Sequence, residues 1–247
     1  MRSQNAFWGS LVAAATLLLV VAIVVLKPSP VQFLGWVGAG TSTFFGAVLA
    51  FYFNSRRASN DREERECVAG NLTLMALAAL RNWLVLYQRN HIEAVRDTRD
   101  RWFTMRPGDL ISARLDIDKA SLSFLLPKHE STWRSVVLEE TRFLLLERAI
   151  EERNNLVTET MWPKLEAEGI GHGVSVETAR VEAILGPATT QSLKNVTTFI
   201  IDACGQDIQS LTECIGDLRQ AFAKTHPERE FVDPLSSQKP SERPAHS

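Results

Sequence analysis

The stretch GWVGAGTSTFFGAVLAFYFNSRR, Gly35 to Arg57, decides how the rest of the chain is read. It is apolar over membrane length, carries a small residue at every fourth position, and stops at two arginines. Gly38, Ser42, Gly46 and Ala50 are spaced by four, and so are Gly35, Ala39, Thr43 and Ala47. Residues four apart share a helix face, so the segment reads as a helix with two adjacent ridges of small side chains. In lipid no hydrophobic drive brings helices together; close backbone approach across small residues and hydroxyl hydrogen bonds do so instead. Gly35, Gly38, Ala39, Ser42, Thr43, Gly46 and Ala50 are therefore the candidate packing residues. Their partner is either another apolar segment of the chain or a second copy, and the ridge does not choose.

Working outward, Val31 to Phe53 carries no charge, and neither does Phe7 to Leu26. Twenty helical residues measure roughly 30 Å, enough to cross a hydrocarbon core. Between the two runs lies Lys27-Pro28-Ser29-Pro30, which cannot continue a helix. Aromatics sit near the ends of both runs, as in an interfacial belt: Phe7 and Trp8, Phe33 and Trp36, then Phe51, Tyr52 and Phe53. The expectation is a two-helix transmembrane hairpin over residues 1–53, with spans 7–26 and 31–53. A cleaved signal peptide is the rival reading. Its apolar run would be unusually long, and no small-x-small site follows it closely. Arg56, Arg57, Arg62 and Arg65 follow the second span while the turn holds only Lys27, so both termini are placed in the cytoplasm by the positive-inside rule.

Charge divides the chain sharply. Arg2 and Lys27 are the only charged side chains in residues 1–53, and the remainder carries a formal charge of −4. A weakly acidic body lacks the dense basic face that nucleic-acid affinity needs, so no nucleic acid is expected. Cys67, Cys204 and Cys214 form no CxxC pair and leave an odd count, which fits a reducing compartment and small core residues.

Residues 54–225 read as an elongated cytoplasmic α-helical bundle. The run Asp61 to Glu66 alternates sign with i,i+4 pairs and suggests a solvated helix below the membrane. Leu72 to Tyr87 is apolar nearly all round. Interrupted by Arg81 and Asn82, it is too short for a third span and is expected to be a buried core helix. Pro107-Gly108 is expected to end this region, and Asp118–Leu126 to form a short helix stopped by Pro127. A long helix is expected over about 131–168, with Phe143, Leu146, Ile150, Val157, Met161 and Leu165 in its stripe. Ser175 is placed as the cap of a brief helix reaching Leu185. Leu193, Val196, Ile200, Cys204, Ile208, Leu211, Ile215, Leu218 and Phe222 then follow steps of three and four, a core-facing stripe. From His226 the composition predicts a disordered tail, residues 226–247. The fold class is all-α: hairpin, bundle, tail.

Chemistry is harder to find. The histidines are scattered, and no HExxH, CxxC or nucleophile elbow occurs. His91 with Glu93 and Asp97 reads as a polar helix face. Gly169-Ile170-Gly171-His172-Gly173 follows a helix rather than a strand, so it reads as a terminator and not a phosphate cradle. No metal, no cofactor and no catalytic residue are assigned. The residues that resist dismissal are Arg81, Arg153 and Asn154, polar groups inside apolar stripes. They are grouped as a buried polar layer, with Glu139, Glu140 or Glu147 as the expected carboxylate partner of Arg153.

The two spans, the Lys27–Pro30 turn and the long helices containing DIDKASLSFLL and ERAIEERNN give a layout that resembles small bacterial two-span inner-membrane proteins with a cytoplasmic helical domain. Retron-type anti-phage transmembrane effectors are among them. The resemblance is architectural and carries no functional residue. It implies a sensor body that gates or assembles the hairpins, and an inner-membrane location. The resulting expectation is a non-enzymatic, homo-oligomeric integral membrane protein with a cytoplasmic protein partner. The alternatives are a structural or scaffold subunit of a membrane complex, and a membrane-anchored enzyme with its site near Arg153.

Overall fold

The computed structural model describes residues 29–108, 117–171 and 176–236. The first span, 7–26, and the start of the proline turn lie outside them, as do Ser175, His172 and Gly173. The chain divides into two compact units, Met1–Arg62 and Glu63–Ser247, so the division falls after the arginine run rather than at residue 53. Every described secondary element is helical.

The first described element, α1, is one continuous helix over Pro30–Tyr87. Three expected pieces, the second span, the charged segment and the apolar core helix, are thus a single element. No proline or glycine pair interrupts the helix after its first residue, so nothing in the sequence breaks it. Among the described residues it is the one helix long and apolar enough to span a membrane, and 39% of its qualifying apolar window is buried, so that window lies in the core-facing stretch and not in residues 38–53. In the first unit its residues 38–53 are exposed, Val48 alone being half-buried. Phe45 is 64% and Phe53 62% exposed.

The second unit is a helical bundle. Its elements are the α1 portion from Glu63, a π-helical turn Gln88–Ile92, α2 Arg101–Thr104, a 3-10 turn Ser123–Leu125 and α3 Leu126–Asn155. A second π-helical turn Leu156–Met161, α4 Trp162–Ala167, α5 Thr178–Leu185 and α6 Pro187–Thr225 complete it. The larger of its two apolar cores gathers Leu74, Leu77 and Leu84 of α1, Leu146 and Ile150 of α3, and Ile200, Leu211 and Phe222 of α6. A smaller core gathers Trp102, Val157, Met161, Leu165, Val181 and Leu193. Gly70 lets α1 lie close to α6, because a Cβ there would meet the Phe222 ring at 3.0 Å.

Several expected boundaries move, each for a physical reason. Pro107-Gly108 does not end the first long helix, which already stops at Tyr87 and passes into the wide turn. Pro127 starts α3 rather than stopping a helix, because a proline in the first turn lacks only an N–H that would have had no partner. The expected helix over 131–168 is interrupted at Leu156–Met161. Pro163 is the cause: it cannot donate to the carbonyl one turn earlier, and the Trp162 N–H reaches back to Val157 O, closing the wider turn. The brief helix starts at Thr178, and Gly186, at φ +78°, ends it just before Pro187 opens α6.

The expected disordered tail differs most. Residues 226–236 pack on the bundle: Phe231 stacks on Phe222 at 5.0 Å, and Val232 N–H donates to Asn71 Oδ1 at 3.0 Å. His226 is buried with its Nε2 3.2 Å from Glu66 Oε2, and Arg219 pairs with Asp233 at 2.8 Å. The composition that suggested disorder hid two apolar anchors, Phe231 and Leu235, which bury apolar area against the larger core. Residues 237–247 lie outside the described residues.

Candidate functional site

Arg153 is 1% exposed and is the largest fully buried side chain among the described residues. Among the described residues no carboxylate meets it, and Glu139, Glu140 and Glu147 are not its partners. Its Nε donates to Thr197 Oγ1 at 2.9 Å, and Nη2 donates to the backbone carbonyls of Met105 and, at 3.4 Å, Trp102. Glu139 is instead taken by Arg142, at 3.0 Å, and by the Ser210 hydroxyl, while Glu140 pairs with Lys119. Asn154 completes the arrangement: Gly108 N–H donates to its Oδ1 at 3.2 Å, and its Nδ2 donates to Gly108 O at 2.8 Å. Two adjacent side chains of α3 therefore tie down the segment 101–108, a strap that carries α2.

The position explains the choice of an arginine. Trp102 belongs to the smaller core and Met105 to the larger, while Thr197 lies on α6 between Leu193 of one and Ile200 of the other. The guanidinium fork sits at the border and satisfies acceptors that neither apolar core can. Burial pulls it down to about 10, with the Tyr87 phenol opposing that fall. At neutral pH it stays a cation, held by oxygen dipoles. Its Nη1 has no partner among the described residues, and neither has the Tyr87 hydroxyl. Burial likewise pushes the Tyr87 phenol up to about 12. Tyr87 is the last residue before the first wide turn, and Arg153 and Asn154 precede the second. The strap closes tightly over this pair, since a Cβ on Gly108 would stand 2.4 Å from the Tyr87 ring.

Of the residues grouped as a buried polar layer, Arg153 is buried, Asn154 beside it is half-buried, and Arg81 lies apart from both. Arg81 is half-buried and donates to Thr212 Oγ1 at 2.7 Å. Thr197 and Thr212 lie about 22 Å apart along α6. The small-residue ridge is where the sequence put it, on α1, with Gly35, Gly38, Ala39, Ser42, Thr43, Gly46 and Ala50 exposed. A Cβ at Gly38 or Gly46 meets no described atom within 4 Å. The hydroxyls do not reach outward; Ser42 and Thr43 both donate to Ala39 O, at 3.0 and 2.9 Å.

Two further groups were not singled out in the sequence. Asp207 of α6 is buried near Glu139 of α3, and desolvation, then the Glu139 charge, raises its carboxyl above the usual range, with Arg142 opposing. Beside them, burial pushes the Cys204 and Cys214 thiols up to about 12, so these are inert core residues. The second group is a cavity of about 910 Å3 between the strap and the second wide turn, lined by Phe103, Met105, Arg106, Val157, Met161 and Trp162 among others.

Among the described residues no three His, Cys, Asp or Glu side chains gather as a metal site. His91 packs its ring on Tyr87 at 4.9 Å, and Gly169, at φ +75°, ends α4 as a terminator. No family model, no curated protein and no solved structure matches this chain. Sequence reasoning passed over Pro163 inside a helical stripe, which marks the wide turn, and read Pro107-Gly108 as a helix end where Gly108 anchors the strap.

Proposed function

We propose that this is an integral membrane protein whose helical bundle is an interaction domain, non-enzymatic, with residues 31–53 as a span. One observation carries the reading: the apolar side chains of Gly38–Phe53 are exposed, with Phe45, Leu49, Phe51 and Phe53 each more than half so. Water does not tolerate such a helix, and lipid does. Phe7–Leu26 supplies the second helix of a hairpin, and the arginines after residue 55 hold the bundle in the cytoplasm. The enzyme alternative loses support, because Arg153 is shielded from solvent and its bonded donors hold the strap. In this reading the trigger is a cytoplasmic protein, and the outcome is assembly of hairpins in the inner membrane, as in anti-phage effectors.

Self-association has support in the bundle as well. The exposed positions of α1 from Val68 onward are Val68, Leu72, Met75, Ala79, Asn82 and Leu86, joined by Val85. Their steps of four and three are those of a coiled-coil seam, where an amphipathic helix facing water would carry charge. A parallel second copy fits it, with Asn82 fixing register.

Fractionation tests the first part: full-length protein pellets with membranes and resists carbonate extraction. Recovery in the supernatant overturns the reading. Crosslinking in membranes tests the second. Gly38→Leu with Gly46→Leu reduces the crosslinked dimer several-fold without altering the bundle, since a Cβ at either position meets no described atom within 4 Å. Unchanged crosslinking removes the ridge from the argument.

A further inference from the structure

The cavity between the strap and the second wide turn is built from covalent and hydrogen-bonded constraints. Pro163 imposes the wide turn on one wall. Arg153 and Asn154 pin the strap that forms the other, through Met105 O, Gly108 O and Gly108 N–H. Neither wall needs a ligand to take its position, which is the condition for binding without a large ordering cost. At about 910 Å3 the space falls within the usual range for small-molecule sites.

The lining selects a chemistry. Half-buried Phe103 on the strap and Trp162 on the turn supply the apolar lining, backed by buried Met105, Val157 and Met161, so the body of an occupant is apolar. One charge at the mouth is uncommitted: Arg106 has no hydrogen-bond or ion-pair partner among the described residues. Glu166, on the opposite wall, is already engaged within the chain. A free guanidinium beside an apolar, aromatic slot is matched by a carboxylate on an apolar body, which it can hold with two parallel hydrogen bonds.

We propose that this cavity is a binding site for an amphipathic organic anion, an aryl or alkyl carboxylate seated between Phe103 and Trp162 with its head on Arg106. The site stands apart from the membrane reading, because every residue in it belongs to the helical bundle. A chain that failed to pellet with membranes would still carry it.

4-Phenylbutyrate is a suitable probe, titrated into full-length protein in lipid nanodiscs by calorimetry and by tryptophan fluorescence, with empty nanodiscs as the blank. Saturable binding is expected, with Kd at or below about 1 mM for so small a ligand. The neutral analogue 4-phenylbutyramide binds more weakly. Arg106→Gln weakens the carboxylate at least fivefold and leaves the amide unchanged, as loss of a charge-assisted contact requires. Thr158→Trp and Thr104→Trp each place a large ring over the opening from an exposed position on one wall, and each abolishes binding of both probes at an unchanged melting temperature.

Three results would overturn the assignment. They are no saturation below 10 mM beyond the nanodisc blank, equal affinity for acid and amide that persists in Arg106→Gln, and wild-type binding in either tryptophan variant that melts normally. The 10 mM ceiling is about tenfold above the expected constant.

Discussion

Two apolar stretches of α1, residues 38–53 and Leu72–Tyr87, look alike in composition and differ in surroundings. The second buries Leu74, Leu77, Leu80, Leu84 and Tyr87 in the larger core and turns Leu72, Met75, Ala79, Asn82, Val85 and Leu86 outward. The first presents apolar side chains on every side. Hydropathy alone therefore cannot separate a core helix from an exposed apolar one; what separates them is which faces the rest of the chain covers. The charged run Asp61 to Glu66 lies between the two.

Placing the same charge in each stretch is the sharpest way to break that contrast. Leu77→Arg buries a cation without a partner in the larger core. It is expected to cost more than about 4 kcal/mol and to unfold the bundle, read as loss of the melting transition and as protease sensitivity. Phe45→Arg leaves the bundle's melting temperature unchanged and shifts full-length protein out of the membrane pellet. The insertion penalty is about 2.5–3.5 kcal/mol. Equal effects of the two substitutions would show that the stretches share one environment.

Gly108→Ala tests the point where the second stretch ends. The added methyl stands too close to the Tyr87 ring, so either the ring or the strap must shift. A loss of about 1–3 kcal/mol is expected, with faster proteolysis within the strap than in wild type. Full stability would mean that Tyr87 and the strap are not in close contact.

The smallest effect concerns Asp207, buried on α6 in the bundle. Its carboxyl is raised when folded, so the protein gains stability from it only at pH below the unfolded value and loses that gain as pH rises through the folded value. At pH 7 the charged form is a cost. Asp207→Asn should raise the melting temperature by about 2 °C at pH 7, and the gain should vanish near pH 4. A gain that stayed constant with pH would rule out relief of a buried charge.

Much of this architecture was legible in the chain. The α6 stripe was readable because an unbroken three-four period survives over the whole helix, and Leu193, Ile200, Cys204, Leu211, Ile215, Leu218 and Phe222 are all buried. Arg153 stood out as a polar residue within a stripe, and Asn154 beside it. Their partners did not, because backbone carbonyls leave no mark in a sequence. A search for carboxylates therefore pointed at Glu139, which Arg142 and Ser210 already hold. The tail was misread for a similar reason: two apolar residues among prolines and charges suffice to dock a short segment, and average composition dilutes them.

Pro163 has a consequence beyond its own turn. An extra residue in one helical turn changes the phase of everything after it by about 100°. Upstream of the turn, Phe143, Leu146 and Ile150 point into the larger core; downstream, Leu165 joins the smaller one. A single imino acid thus acts as a rotary offset that hands one helix from the first core to the second. Deleting one residue from 156–161 would turn the downstream stripe away from its neighbours without altering its composition.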